Sequence, residues 1–398
     1  MKYKAILSSL SIALFSLSLA GCNDNDNQEN VVSTPKQPNI LFIMADDLGY
    51  SDLGAFGGEI HTPNIDSLAQ EGRLLTDYHT APTCSPTRSQ LISGTDHHLA
   101  GIGAMAELTP EHLKGQPGYE GYLNERSLSI AQVLKDNGYG TYISGKWHLG
   151  LTPETNAHAK GFDHSFTLLQ GLDHHFKQAL SAFKRNSTYT EDGAEGFVRG
   201  GYGSESGFDN SLANVGTPTS YHYIGPRWAE VSAAPFHLWK DTADEGATIA
   251  PAIVKLPNQK KAEETNHSFA SVLDVFPTLL EYAHIPVPQG QYNGRTINTP
   301  TGISWKPLLE NKTNTIRPAN FSFADELHGS KYAKQGEWKI ALQGRPELGT
   351  GTWELYNIKL DRGERQNVAQ LYPAKVQELL SVYQKYTEKN AVQEYNPK

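Results

Sequence analysis

The chain has 398 residues and a formal net charge of −9, from 34 basic and 43 acidic side chains. Hydrophobic residues make up 38% and charged ones 19%, with 19 Tyr and 6 Trp, which suits a folded chain and excludes a disordered one. The acidic balance excludes a broad nucleic-acid-binding surface and leaves room only for a local cationic pocket.

The first element in chain order is an address. Lys2 and Lys4 precede an apolar run from Ala5 to Ala20, which ends Leu19-Ala20-Gly21-Cys22 and resembles the bacterial lipobox. The run is short for a membrane span and closes on small residues, as a cleaved signal does. Residues 1–21 are expected to be removed and Cys22 to carry lipid; an uncleaved anchor is the other reading. The product would be exported and tied to a membrane of the bacterial envelope, on its periplasmic or outer-membrane side. Residues 22–37 are mostly polar and read as a flexible tether. With Cys22 acylated, Cys84 has no cysteine left to pair with.

Asn39 to Met44 is a continuous apolar run, expected as a strand buried on both faces of a parallel sheet. It stops at Asp46-Asp47, where open α/β sheets gather ligand groups. A helix is expected from Thr62 as cap to Gly72, with Ile65, Leu68 and Ala69 facing inward. Another starts directly after Cys84, with Ser85 as cap, Pro86 in the first turn, Leu91 and Ile92 inward, and Gly94 as stop. That puts Cys84 at a helix N-terminus, among free N–H groups. A helix over Leu128 to Leu134 and a strand over Thr141 to Ser144 lead into Gly145-Lys146-Trp147-His148-Leu149-Gly150.

Further on, Ile249 to Leu256 reads as a strand and Pro277 to Ala283 as a helix. Tyr332 to Leu342 and Trp353 to Ile358 read as antiparallel strands. Pro373 opens a last helix with Val376, Leu379, Leu380 and Tyr383 on one face. Residues 38–310 are therefore expected as a catalytic domain and 311–398 as a small α+β subdomain.

Cys84-Ser85-Pro86-Thr87-Arg88, with Gly94 beyond, resembles the signature C-x-P-x-R of the sulfatase family. Asp46-Asp47 resembles that family's first metal motif, and Gly145 to Gly150 its second signature. Similar stretches continue through Lys240, Glu245-Gly246, Glu337-Trp338-Lys339 and Asp361-Arg362-Gly363-Glu364. The resemblance implies an α/β fold with a large, mostly parallel mixed sheet flanked by helices, of alkaline phosphatase and sulfatase type. It also implies hydrolysis of an aryl sulfate or a sulfated carbohydrate.

The resemblance further implies that a maturation enzyme oxidises Cys84 to Cα-formylglycine, whose hydrate attacks sulfur. Arg88, one helical turn on, would hold that group. Asp46, Asp47 and the Cys84-derived oxygen would bind a divalent cation, calcium by resemblance, with magnesium not excluded by the sequence. Lys146 and Lys240 would bind sulfate oxygens, and His148 would act as a base on the hydrate. His174 and His175 are open between cleft and loop. His97 and His98 read as structural or rim residues.

Two departures stand out. The family's later Asp-Asn-Gly metal motif has its nearest counterpart in Glu191-Asp192-Gly193, so Glu191 and Asp192 become the expected remaining metal ligands. The long segment that normally precedes that motif, with its sulfate-binding histidine, has no counterpart. No apolar run precedes Glu191, so no strand is expected to hold it, and weakened activity follows. Two other functions fit the same residues: a phosphate or phosphonate ester hydrolase of the same superfamily, and an envelope lipoprotein that only binds sulfated ligands.

Overall fold

Helix α1 (Pro63–Gln70) leads into strand β1 (Arg73–His79) and then helix α2 (Cys84–Ser93). Next come α3 (Ile130–Asp136), β2 (Tyr142–Lys146), β3 (His164–Leu168) and β4 (Tyr189–Glu191). They are followed by α4 (Gly225–Ala233), α5 (Glu245–Thr248), β5 (Ile249–Val254), β6 (Ala270–Ser271) and α6 (Val275–Tyr282). A small hairpin, β7 (Gln291–Tyr292) and β8 (Arg295–Thr296), precedes α7 (Lys306–Leu309). Four strands, β9 (Ser322–Leu327), β10 (Ser330–Gln335), β11 (Trp338–Leu342) and β12 (Glu354–Asn357), and helix α8 (Pro373–Asn390) complete the chain. The computed structural model describes residues 37–171, 189–191, 211–214, 217 and 225–396, with backbone alone for 189–191.

The α/β architecture is as expected, and two of the sheets among the described residues are three-stranded. One has the order β5-β1-β6, antiparallel on the β5 side and parallel on the β6 side. The other is β2-β3-β4, with β2 and β3 parallel. One core cluster includes Leu123, Leu128, Val133, Trp147, Leu149 and Phe276, all at most 1% exposed. Helix α2 is buried almost all round, which is why its face pattern is mixed and not amphipathic. Residues 37–398 form one unit. Within it, β9 to β12 form an antiparallel sheet covered by α8, which packs Leu379, Val376, Leu380 and Tyr383 against Ala333, Ile340 and Leu355.

Several expectations need correction. Asn39 to Met44 forms no ladder, and Leu41 and Ile43 are 85% and 72% exposed. An apolar run becomes a strand only where neighbouring backbones supply hydrogen bonds. Among the described residues β5 is an edge strand paired only with β1, and its Pro251 lacks an N–H to offer a further neighbour. A cavity of about 900 Å3 is bordered by Ile40, Leu41 and Ile43, by Ala252 and Val254 of β5, and by Leu279.

In α1 only Ala69 is buried, and Ile65 and Leu68 stay exposed. The expected strand from Tyr332 to Leu342 is a hairpin, folded at Gly336 (φ +58°), where a residue free of the Cβ penalty is needed. Strands β1, β3 and β9 carry histidines, threonines or acids that broke the apolar pattern and hid them. Glu191 does lie in a strand: its backbone pairs with Phe166 of β3. Hydrogen bonding to an existing strand holds it there without an apolar run.

Candidate active site

The site forms at one end of that cavity, where Asp46, Asp47, Cys84, Arg88 and Lys240 share its lining. Cys84 is the first residue of α2, after Thr83 in extended conformation (φ −145°, ψ 177°). The cap of helix α2 therefore lies two residues earlier than expected. Ser85 is not its cap: it is buried, with its hydroxyl unpartnered among the described residues. Thr87 secures the first turn by donating to the carbonyls of Thr83 (2.7 Å) and Ala81 (2.9 Å). Cys84 is a half-buried free thiol.

Asp46 and Asp47 each bring a carboxylate oxygen to 3.8 Å from Cys84 Sγ. Adjacent side chains would normally diverge, but Asp47 adopts φ +53°, and both turn to the same point. Lys146 Nζ donates to both oxygens of Asp46 at 3.1 Å. Lys240 Nζ lies 2.7 Å from Asp47 Oδ1 and 3.1 Å from Cys84 Sγ. Arg88 donates to the carbonyl of Lys146 at 2.6 Å and passes Asp46 at 3.9 Å. The loop carrying Lys240 is fastened next to Cys84, because Asp241 N donates to the Pro82 carbonyl at 2.9 Å. Asp241 is itself held by His328 (2.6 Å) and Arg345 (2.7 Å).

These charges set the acidities. Burial opposes ionisation of Cys84, yet contact with His148 and the fields of Lys240 and Lys146 outweigh it and lower the thiol's pKa. Asp46 is also lowered, its burial overcome chiefly by Lys146. Burial disfavours the cationic form of His148, but Cys84 and Glu107 more than compensate, and its pKa is raised. The ammonium of Lys240 is likewise stabilised against burial, by Cys84 and Asp47.

Of the expected site residues, Asp46, Asp47, Cys84, Arg88, Lys146, His148 and Lys240 meet here. Asp192, His174, His175, Cys22 and the side chain of Glu191 lie outside the described residues. His97 and His98 are fully buried, away from any rim. His97 pairs with Asp325 at 2.8 Å, and His98 bridges Asp96 (3.0 Å) and Glu326 (3.2 Å). They tie the turn after α2 to β9.

Glu107 was missed by sequence reasoning, and it reaches His148 Nε2 at 3.1 Å. A lone acid in a three-residue turn (Ala106–Leu108) has no spacing signal. Beneath the Lys240 loop, Glu245 receives Lys334 (3.1 Å) and Lys339 (3.0 Å), and Lys339 also meets Glu364 (2.7 Å), all buried. Burial in that crowd pushes the Glu364 pKa up.

The sulfatase family profile, described as Sulfatase, matches residues 38–214. N-acetylgalactosamine-6-sulfatase of Sus scrofa is 38% identical over 423 aligned positions, covering 85% of this chain and 77% of the relative. The chain belongs to the sulfatase family. An uncharacterised sulfatase of Schizosaccharomyces pombe is 29% identical, covering 91% of this sulfatase and 96% of its relative. The fold matches the crystal structure of Ps i-CgsB in complex with k-i-k-neocarrahexaose (TM-score 0.66, 19% identity). That match covers 91% of this chain and 95% of the other.

Proposed function

We propose that this chain is a sulfuric ester hydrolase built on Cys84, acting on a sulfated carbohydrate or an aryl sulfate. One observation carries the reading: Asp46, Asp47 and Lys240 converge within 3.8 Å on Cys84 Sγ at the start of α2. The N-acetylgalactosamine-6-sulfatase relative and the carbohydrate-bound structural neighbour favour the sugar substrate.

The donor set suits a hard divalent cation, calcium by preference. The ligand atoms of Asp46, Asp47 and Cys84 lie within 4.8 Å of one another, and all are oxygen once the sulfur is exchanged. Glu191 and Asp192 are proposed to complete the shell. A bound cation supplies Lewis acidity toward sulfate oxygens and toward the nucleophile. Formylglycine, made from Cys84 by a maturation enzyme, supplies a hydrated aldehyde as that nucleophile.

The remaining steps belong to side chains in place. Lys146 and Lys240 present ammonium groups where charge grows on sulfate oxygens. Arg88, anchored on the Lys146 carbonyl, keeps a permanent positive charge beside Asp46 and the Cys84 position. His148 presents a ring beside Cys84 that can take up a proton from the group there. The leader and Cys22 support export and a lipid anchor on the envelope, tested by the loss of fatty-acid labelling in Cys22→Ser.

A second reading draws on the cavity beside residues 39–44. The alignment with the Schizosaccharomyces pombe sulfatase spans 531 positions, more than the 398 residues of this chain, so the relative carries stretches without a counterpart here. A shortening of that kind placed before Glu191 would leave a protein that binds sulfated ligands without turnover.

One experiment separates these readings. The protein is made with and without a maturation enzyme, the Cys84 peptide is weighed, and hydrolysis of matched nitrophenyl sulfate and phosphate is followed. Formylglycine with sulfate turnover abolished in Cys84→Ala supports the hydrolase. Faster phosphate turnover supports the phosphate ester alternative. An unmodified thiol and no turnover leave ligand binding alone.

A further inference from the structure

The ring of His148 is fixed from more sides than its position in a loop after β2 requires. Its backbone is left-handed (φ +58°), a conformation that costs an ordinary L-residue roughly 1 kcal/mol or more. Two ladder-like bonds hold that backbone: Trp147 N to the Leu168 carbonyl (2.8 Å) and His148 N to the Leu169 carbonyl (3.1 Å). Gly171 lies flat against the ring, where a Cβ would stand 2.3 Å from His148 Cε1. Side-chain exposure of His148 is 6%.

The two ring nitrogens are treated differently. Nε2 meets both oxygens of Glu107, at 3.1 and 3.2 Å. Nδ1 is buried and has no hydrogen-bond partner among the described residues. An ionised carboxylate can only accept, so in the neutral ring Nε2 carries the proton and Nδ1 the lone pair. Glu107 is itself secured. Leu108 N donates to the Met105 carbonyl (2.8 Å), Met105 N donates to His328 Nε2 (3.2 Å), and Tyr395 OH donates to the Leu108 carbonyl (2.9 Å). The turn carrying Glu107 is thus pinned by residues from the far end of the chain.

We propose that Glu107 is a positioning residue of this sulfatase: it fixes His148 as the Nε2–H tautomer and reserves Nδ1 for the group at Cys84. The inference rests on the sulfatase reading of the site. When Nδ1 takes a proton the ring carries one on each nitrogen, and the Glu107 carboxylate faces the charge without taking the proton itself. A glutamate serving only to shape the turn would leave the tautomer free.

The test uses the full chain and two variants, Glu107→Gln and Glu107→Asp, with two readouts. The first is the nitrogen-15 pattern of the neutral His148 ring, assigned by its loss in His148→Gln. Wild type is expected to show Nε2–H alone. Glu107→Gln, whose amide can donate, is expected to populate Nδ1–H, and Glu107→Asp to restore Nε2–H. The second readout is turnover of a nitrophenyl sulfate by formylglycine-bearing protein. There Glu107→Gln is expected to lower kcat about a hundredfold to ten-thousandfold, with KM changed little, and Glu107→Asp to recover part of the loss. An unchanged ring pattern in Glu107→Gln overturns the proposal whatever the rates do; should that variant not fold, a Glu107→Asp ring without Nε2–H does so. Absence of turnover in wild type counts against the hydrolase reading, and the ring pattern still judges Glu107.

Discussion

Lys240 Nζ stands 3.1 Å from Cys84 Sγ while it holds Asp47 Oδ1 at 2.7 Å, so one ammonium neutralises a thiol and a carboxylate together. Its removal exposes the thiol to the field of Asp47, which acts in the opposite sense. In unmodified protein, Lys240→Met is expected to raise the Cys84 pKa. Iodoacetamide alkylation near neutral pH should slow about three- to tenfold, the equivalent of up to one pKa unit. In matured protein the same change is expected to cost about a hundredfold or more in kcat/KM for a sulfate ester. An unaltered alkylation rate would show that Lys240 does not act on the thiol.

The paired aspartates predict a thermal response to cations. Calcium at about a hundred times its Kd adds about 2.7 kcal/mol to the folded state, a Tm rise of about 3–4 °C for a domain of this size. Asp46→Asn should abolish the rise, since Asp46 is one of the three groups that meet. A rise that survives this substitution places the cation elsewhere.

Stability should also fall with rising pH through His98. Burial disfavours its charge, but Asp96 and Glu326 overcome this and raise its pKa from 6.5 to about 10. The folded state therefore holds the proton more tightly than the unfolded one. That contribution is complete below about pH 6.5 and is lost as pH climbs toward about 10. Melting curves across this window should slope downward in wild type. In His98→Gln they should start lower and run flatter; a slope equal to that of wild type would contradict the bridge.

The exposed run at 39–44 gives a contrast between two apolar residues. Leu75 is fully buried in β1, and Leu75→Ala is expected to cost about 2–5 kcal/mol in chemical denaturation. Ile43, 72% exposed, should lose no more than about 0.5 kcal/mol on change to Thr. A large loss at Ile43 would mean that the run is covered in solution.

Much of the site was legible because its chemistry is local in sequence. Asp46 and Asp47 are neighbours, Cys84 and Arg88 share a helical turn, and Lys146 and His148 follow one strand. Glu107 was not legible, because its role exists only once the turn after α2 folds back on the loop after β2. The fold divided in the same way. Strands with apolar runs, such as β5, could be found, whereas β1 mixes Arg73, Thr76, Asp77 and His79 among its apolar residues. Residues 39–44 read as a strand for the opposite reason: an apolar run reports a wish for burial, and a ladder also requires a neighbouring strand to pair with.

The ties between the turn after α2 and β9 also bear on when the site comes into being. His97 and Asp325 are 228 residues apart, and Lys240 follows Cys84 by 156. At about 5–20 residues per second, ribosomal synthesis of the first interval takes roughly ten to fifty seconds. Until Lys240 is made the nascent chain presents Cys84 without the lysine that later flanks it, and throughout the delay it lacks a complete β9 to close the turn behind α2. The thiol is then an ordinary, accessible cysteine, open to chemistry that the finished protein screens. The proposed maturation of Cys84 would thus be a race against the emergence of the last quarter of the chain.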